Sequence, residues 1–142
     1  MTISQALKEK NKKVTKISKI WNKISSYNSV AEGSEKPYDV EKLWEEYNLE
    51  IASLIDLKTA IHSASAPVRK DIFAMSELKS KAQNIKGLNT QNGIQRDRYG
   101  SEPVEMEAHF SITWKDQQIE LIESEIDRIQ EKLDTFNHTT QI

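Results

Sequence analysis

The sequence contains no cysteine, so disulfide bonds, thiol nucleophiles and cysteine-ligated zinc or iron sites are excluded. Residues that break helices are also scarce, with four glycines and three prolines in 142 residues. A chain with few glycines and prolines and many Glu, Lys, Gln and Ile residues has the composition of long helices. Its length predicts a single helical domain over residues 1–142.

Long apolar runs are absent too. No stretch approaches the roughly 18 consecutive apolar residues of a membrane span. The first residues also lack the apolar core of a signal peptide. We therefore expect a cytoplasmic protein that does not contact a membrane.

The formal net charge of −2 gives no global positive field that would attract nucleic acid. Lysines are concentrated in the first 23 residues, and the last helix is rich in acids. Helices of opposite charge are expected to pack together. The lysines of the first helix are expected to be spread around it, so nucleic acid is not an expected partner.

The first helix is predicted over residues 3–31. Thr2 and Gln5 have the spacing of a capping box, and turn-forming residues follow from Gly33 to Pro37. Apolar residues in this helix alternate at intervals of three and four, apart from Lys10, which is typical of a coiled-coil seam. The predicted seam consists of Ile3, Leu7, Val14, Ile17, Trp21 and Ile24.

The second helix is predicted over residues 40–65. Asp39 can cap it, and Pro67 ends it because the residue before a proline avoids helical geometry. The same spacing recurs, with Lys58 as its polar member, so the first two helices are expected to form an antiparallel hairpin. The predicted seam consists of Val40, Trp44, Tyr47, Ile51, Leu54 and Ile61.

The third and fourth helices are predicted over residues 67–86 and 114–136, with a loop and strand over 88–113 between them. Gly87 is expected to cap the third helix. Apolar and polar residues alternate strictly from Val104 to Thr113, which predicts a strand. This strand is expected to pair with residues around 93–98 or with another subunit, because one strand is not stable alone.

These elements predict a mainly α fold. It is an antiparallel bundle or coiled coil of long helices, with a small β element between the third and fourth. Seams this long and regular favour pairing between chains, so a homo-oligomer is expected.

Several stretches resemble the septicolysin-like family of small helical proteins from bacteria and phages. They are AEGSEKPYDVEKLWEE, LIDLKTAIHSASA, ELKS, DRYGSE and IQEKLDTFNHTTQI, which together span almost the whole chain. The sequence departs from the family at His138, where tryptophan is common, and after Tyr99, where another arginine is usual. The resemblance implies a helical, oligomeric protein.

No nucleophile, metal-ligand or phosphate-loop motif is present, so neither an enzymatic activity nor a cofactor is expected. Glu105, Glu107 and His109 share one face of the predicted strand. Two carboxylates and an imidazole are metal-ligating groups. A solvated strand face is the simpler interpretation of this pattern, and no metal site is predicted.

The segment IQRDRYGSE has the residue types of an anion or nucleotide site. Arg96 and Arg98 can make forked hydrogen bonds to phosphate, and Tyr99 can stack on a base. Arg69 and Lys70 stand at the start of the third helix, where anions are favoured. With His109, these residues form the candidate ligand-binding set. Alternatively, the two loop arginines pair with neighbouring acids and fix the loop to the strand.

Two functions follow from these observations. The first is a non-enzymatic oligomer that sequesters an anionic, nucleotide-like small molecule, such as a host defence signal, at a subunit interface. The second is a structural coiled-coil assembly protein that interacts with other proteins and binds no small molecule.

Overall fold

The computed structural model describes residues 1–96 and 102–142, and it confirms the predicted mainly α fold. The described residues form four α-helices, and a two-stranded antiparallel sheet lies between the third and fourth helices. A short 3-10 helix, Ala66–Val68, precedes the third helix. The other elements are α1 (Ile3–Tyr27), α2 (Val40–Ala64), α3 (Arg69–Lys86), β1 (Gly93–Gln95), β2 (Val104–Met106) and α4 (Ile112–Thr139).

The chain divides into two compact units. The first consists of Met1–Val68 and Asp134–Ile142, and the second of Arg69–Leu133. Each unit contains one pair of helices, α1 with α2 in the first and α3 with most of α4 in the second.

Helices α1 and α2 form the predicted antiparallel hairpin. Lys16 of α1 contacts Glu50 of α2, and Tyr27 at the end of α1 contacts Tyr38 just before α2. Later residues on one side therefore contact earlier residues on the other, as in an antiparallel pair. The predicted N-terminal caps of α1 and α2 are confirmed. Thr2 makes the capping box, and the Asp39 carboxylate accepts hydrogen bonds from two backbone amides at the start of α2.

The seam of the hairpin differs from the predicted one at every second position. Ala6 and Ile20 are buried, whereas Val14 and Trp21 are exposed. The inner side of α1 consists of Ile3, Ala6, Lys10, Lys13, Ile17, Ile20 and Ile24. The least exposed side of α2 follows the same spacing and consists of Val40, Leu43, Tyr47, Glu50, Leu54, Leu57, Ile61 and Ala64.

Residues from the two ends of the sequence are hydrogen-bonded in the first unit. The Ile3 amide donates to the Thr140 carbonyl at 3.0 Å, and the Ile142 amide donates to the Met1 carbonyl at 3.1 Å. Ile3 is 1% exposed, which makes it the most buried large side chain of the described residues. The start of α1 is therefore fixed by the segment that follows α4.

Helices α3 and α4 are also antiparallel. Asp71 pairs with Lys132 at 2.8 Å, and Lys86 pairs with Glu123 at 3.3 Å. Both helices contribute to the core of this unit, through Met75, Ala82, Ile122, Ile129 and Leu133.

The sheet forms where a partner strand was expected, but β2 is much shorter than the predicted strand. Gln95 pairs with Val104, and the strand ends at Met106. The Ser111 hydroxyl accepts a hydrogen bond from the Trp114 amide at 3.1 Å, so α4 begins at Ile112. Helix capping therefore overrides the alternating pattern in residues 107–113.

Other helix limits shift by a few residues. Helix α1 ends at Tyr27 rather than near residue 31, and α4 continues to Thr139. The proline-containing turn forms the 3-10 helix instead of the first turn of α3. Gly87 follows α3 but lacks the positive φ of a glycine cap, which occurs only at Gly33 and Gly93 among the described residues.

Candidate functional site

Arg96, one of the predicted ligand contacts, directly follows β1 and is exposed. Arg98 and Tyr99 lie outside the described residues. Gln95, the residue before Arg96, is paired with Val104. Arg96 therefore lies at the tip of a short antiparallel ribbon.

Arg69 and Lys70 occupy the first turn of α3, as expected. The chain enters the ribbon after the other end of α3, about 27 Å away for 18 residues at 1.5 Å each. The base of the ribbon lies near the start of α4, because the Asn92 side chain accepts a hydrogen bond from the Ala108 amide. A single chain does not bring Arg69 and Lys70 together with Arg96.

His109 is exposed and lies beyond the end of β2, in the bend before α4. Its ring packs edge-on against Phe110 with centroids 4.7 Å apart, and Phe110 stacks on Trp114 at 3.8 Å. His109 is therefore not in line with Glu105 and Glu107 on a strand. Among the described residues, no group of three His, Asp or Glu side chains is arranged to hold a metal ion.

This aromatic stack was not predicted from the sequence. Phe110 and Trp114 are four residues apart, a spacing that places side chains on one side of a helix and could have signalled the contact. Lys115, the next residue, donates a hydrogen bond to the Leu88 carbonyl at 3.1 Å. Together these contacts fix the start of α4 to the segment that follows α3.

The α1–α2 hairpin has an exposed apolar surface on one side. Trp21 and Trp44 both pack on Tyr47, with ring centroids 5.4 Å and 5.6 Å away. Yet Trp21 is 46% exposed and Trp44 is 49% exposed. These residues belong to a continuous surface that we call the apolar flank, defined by Leu7, Val14, Trp21, Trp44, Ile51 and Ile55.

The apolar flank follows from the register of the two seams. In α1 its residues lie one position after Ala6, Lys13 and Ile20. In α2, Trp44 and Ile51 lie one position after Leu43 and Glu50. In an antiparallel pair, these positions of the two helices face each other along one side of the seam. The flank runs along α1 for about 21 Å, from Leu7 to Trp21.

The opposite side of the seam is charged. Lys16 contacts Glu50 at 2.7 Å and Glu46 at 3.6 Å, and Lys13 contacts Glu50 at 3.4 Å. The hydrogen bond from Lys16 holds the pKa of Glu50 below its ordinary value of 4.5, although burial acts in the opposite direction. The same hydrogen bond raises the pKa of Lys16 above 10.5. These contacts fix the register of the hairpin.

None of the helices, in the part of the chain that the structure describes, is long and apolar enough to cross a membrane. The flank is one side of an amphipathic hairpin, with ion pairs on the other side.

Comparison with known proteins gives no further guide to function. No family model, curated protein or solved structure matches the chain. The resemblance to septicolysin-like proteins stays a prediction from the sequence motifs.

Proposed function

We propose that this chain is a non-enzymatic assembly protein that pairs with a second copy through the apolar flank. The exposure of Trp21 and Trp44 carries this proposal. Each tryptophan already has one ring contact in the hairpin, and nearly half of its surface stays open to solvent. Large contiguous apolar patches on a protein surface mark interaction sites.

A second copy of the same hairpin suits this surface. A two-fold axis that lies in the plane of the interface brings two identical apolar surfaces face to face, as in a self-complementary dimer interface. The two hairpins then form a four-helix bundle, in which the exposed flank residues become core residues. Helix α2 would gain the most burial, because none of its 25 residues, all of them described, is buried in the single chain.

Mutation of Trp44 tests the proposal. Trp44→Glu places a charge in the interface, and loss of a tryptophan hot spot costs at least about 2 kcal/mol. The dimer dissociation constant should therefore rise at least about 30-fold. Sedimentation equilibrium of the wild type and the variant measures it directly.

Leu49→Glu is the matched control. Leu49 lies in the same helix and is 72% exposed, but it points away from the apolar flank. This variant should dimerise like the wild type. A monomeric wild type at micromolar concentration, or equal weakening by both substitutions, would rule out the flank as the interface.

Sequestration of an anionic, nucleotide-like molecule is a second candidate function. The observation in its favour is the ribbon, which presents exposed Arg96, together with the exposed ring of Phe110 near the ribbon's base. Guanidinium groups bind phosphate, and aromatic rings stack on bases. Since Arg69 and Lys70 lie far from Arg96 in one chain, a site that includes all of them requires an oligomer.

Native mass spectrometry of the protein purified from cells tests this second function. We expect an oligomer that carries extra mass, which is lost in Arg96→Ala. Arg128→Ala is the control, because Arg128 is engaged with Glu125 on α4. If a bare oligomer is found, and calorimetric titration with nucleotides gives no heat, sequestration is excluded and assembly remains.

A further inference from the structure

Helix α1 carries a stripe of lysines on one side, contrary to the expectation that they are spread around it. With 3.6 residues per turn, five of them fall within about 80° around the helix axis. We call this set the lysine stripe, and it consists of Lys8, Lys12, Lys16, Lys19 and Lys23. All five are exposed, and the stripe lies on the side of α1 away from the apolar flank.

Helix α4 carries a stripe of the opposite sign. Five carboxylates fall within about 80° around its axis. We call this set the acidic stripe, and it consists of Asp116, Glu120, Glu123, Asp127 and Glu131. All five residues are exposed, and no lysine or arginine interrupts the stripe.

The two stripes match in spacing when the helices run antiparallel. Steps along the lysine stripe are four, four, three and four residues. Steps along the acidic stripe, taken from Glu131 backwards, are also four, four, three and four. In one register Lys8 therefore lies opposite Glu131, Lys12 opposite Asp127 and Lys19 opposite Glu120, and the remaining two pairs follow. Both helices rise 1.5 Å per residue, so the match holds along about 22 Å.

Most of these charges have no partner of opposite sign. Among the described residues, Lys8, Lys12, Lys19, Asp116, Glu120, Asp127 and Glu131 form no ion pair. Like charges three or four residues apart destabilise a helix. A single-sign stripe therefore carries a repulsion that a complementary surface would relieve.

We propose that the lysine stripe of α1 docks antiparallel on the acidic stripe of α4 from a second copy of this chain. Exposed ion pairs are individually weak, so this contact orders copies rather than holding them together alone. It therefore rests on the proposed assembly function. Because the stripe and the apolar flank lie on different sides of α1, the contact joins flank-paired dimers to further copies.

Sedimentation velocity at low and high salt tests this contact. At 0.1 M salt the Debye length is about 10 Å, and it falls to about 3 Å at 1 M, so exposed ion pairs weaken as salt increases. We expect the wild type to form species larger than a dimer in 25 mM NaCl and to return to the dimer in 500 mM NaCl. The double variant Lys12→Glu/Lys19→Glu should remain a dimer in both buffers.

Charge reversal on both helices provides the rescue. Adding Glu120→Lys and Asp127→Lys to the lysine double variant exchanges the signs of two facing pairs, and it should restore the larger species at low salt. Lys81→Glu on α3 is the control, because it reverses the charge of an exposed lysine outside both stripes and away from Lys86, which pairs with Glu123. That control should assemble like the wild type.

Several outcomes would overturn the inference. If the wild type is a dimer in both buffers, the stripe contact does not form and the flank contact is retained. If it is a monomer in both buffers, the flank contact does not form either. Failure of the four-residue exchange to restore assembly shows that the stripes do not face each other. If the lysine variant assembles normally but loses salt-dependent binding to double-stranded DNA, the stripe serves a polyanion instead.

Discussion

The two helical hairpins of this chain share the same three-four spacing of apolar residues, but they bury these residues to different extents. In the second unit, α3 and α4 both supply core residues, and Lys86 and Glu123 pair beside the seam. In the first unit, α1 supplies buried residues, while α2 has none among its residues, and tryptophans stand beside the seam. The residues beside a seam therefore decide whether a hairpin buries its apolar side chains by itself or needs another surface to cover them.

The largest expected contrast is between a core residue of the second hairpin and an apolar-flank residue of the first. Ile129→Ala removes a side chain that is 2% exposed and should lower the free energy of unfolding by about 2–5 kcal/mol. Ile55→Ala, in the apolar flank and 57% exposed, should cost less than about 1 kcal/mol in the monomer. Urea unfolding at protein concentrations below the dimer dissociation constant measures both. Equal losses of unfolding free energy would mean that the flank residue is as well packed in the monomer as the core residue.

Alanine substitution should have different effects on stability at Gly33 and Gly87, because the two glycines differ in backbone conformation. Gly33 has φ of +81°, so Gly33→Ala should destabilise the chain by about 1–2 kcal/mol despite the open space around it. Gly87 has a negative φ, and an added methyl group would meet its nearest atoms at 3.6 Å, an ordinary contact. Gly87→Ala should leave stability unchanged or raise it by up to about 1 kcal/mol. Thermal unfolding of the two variants is the measurement, and a loss at Gly87 would contradict this account.

The smallest expected effect concerns pH. The pKa of Glu50 is lowered in the folded state, so its contribution to stability is present above the ordinary value of 4.5 and is lost as pH falls through the folded pKa. Glu50→Gln should therefore flatten the dependence of unfolding free energy on pH below this value.

Glu125 provides the comparison for Glu50. Its pKa is also lowered, chiefly by the hydrogen bond from Arg128, but the two residues are exposed neighbours on one helix. Glu125→Gln should change the pH dependence less than Glu50→Gln, because Glu50 joins two helices. Urea unfolding between about pH 3 and pH 7, a range that spans the ordinary glutamate pKa of 4.5, tests the order. A larger effect at Glu125 would show that the ion pairs of the first hairpin do not fix its register.

The sequence was sufficient for features that depend on neighbouring residues. Thr2 with Gln5, and Asp39 with the amides that follow it, are local interactions, and both caps were predicted correctly. The register of the first seam was not predictable in the same way. Leu7 and Ala6, or Trp21 and Ile20, give equally regular spacings, and only packing against α2 selects the smaller residue at position 6.

The β element and the candidate site show the same limit. Alternation from Val104 to Thr113 is a strand pattern, but the Ser111 cap competes with it and begins α4 early. Arg69 and Arg96 were grouped by chemistry, and their separation depends on the direction of α3, which no local signal encodes. The candidate ligand set thus remains a prediction for an oligomer.

The hydrogen bonds between Ile3 and Thr140 and between Ile142 and Met1 have a consequence for the timing of folding. During synthesis, the first turn of α1 leaves the ribosome long before Thr140, whose carbonyl accepts the hydrogen bond from the Ile3 amide. Contacts so distant in sequence form late, because their loop-closure entropy is large. The first turn of α1 is therefore completed only after residue 140 has been synthesised, whereas the rest of α1 can pack against α2 earlier.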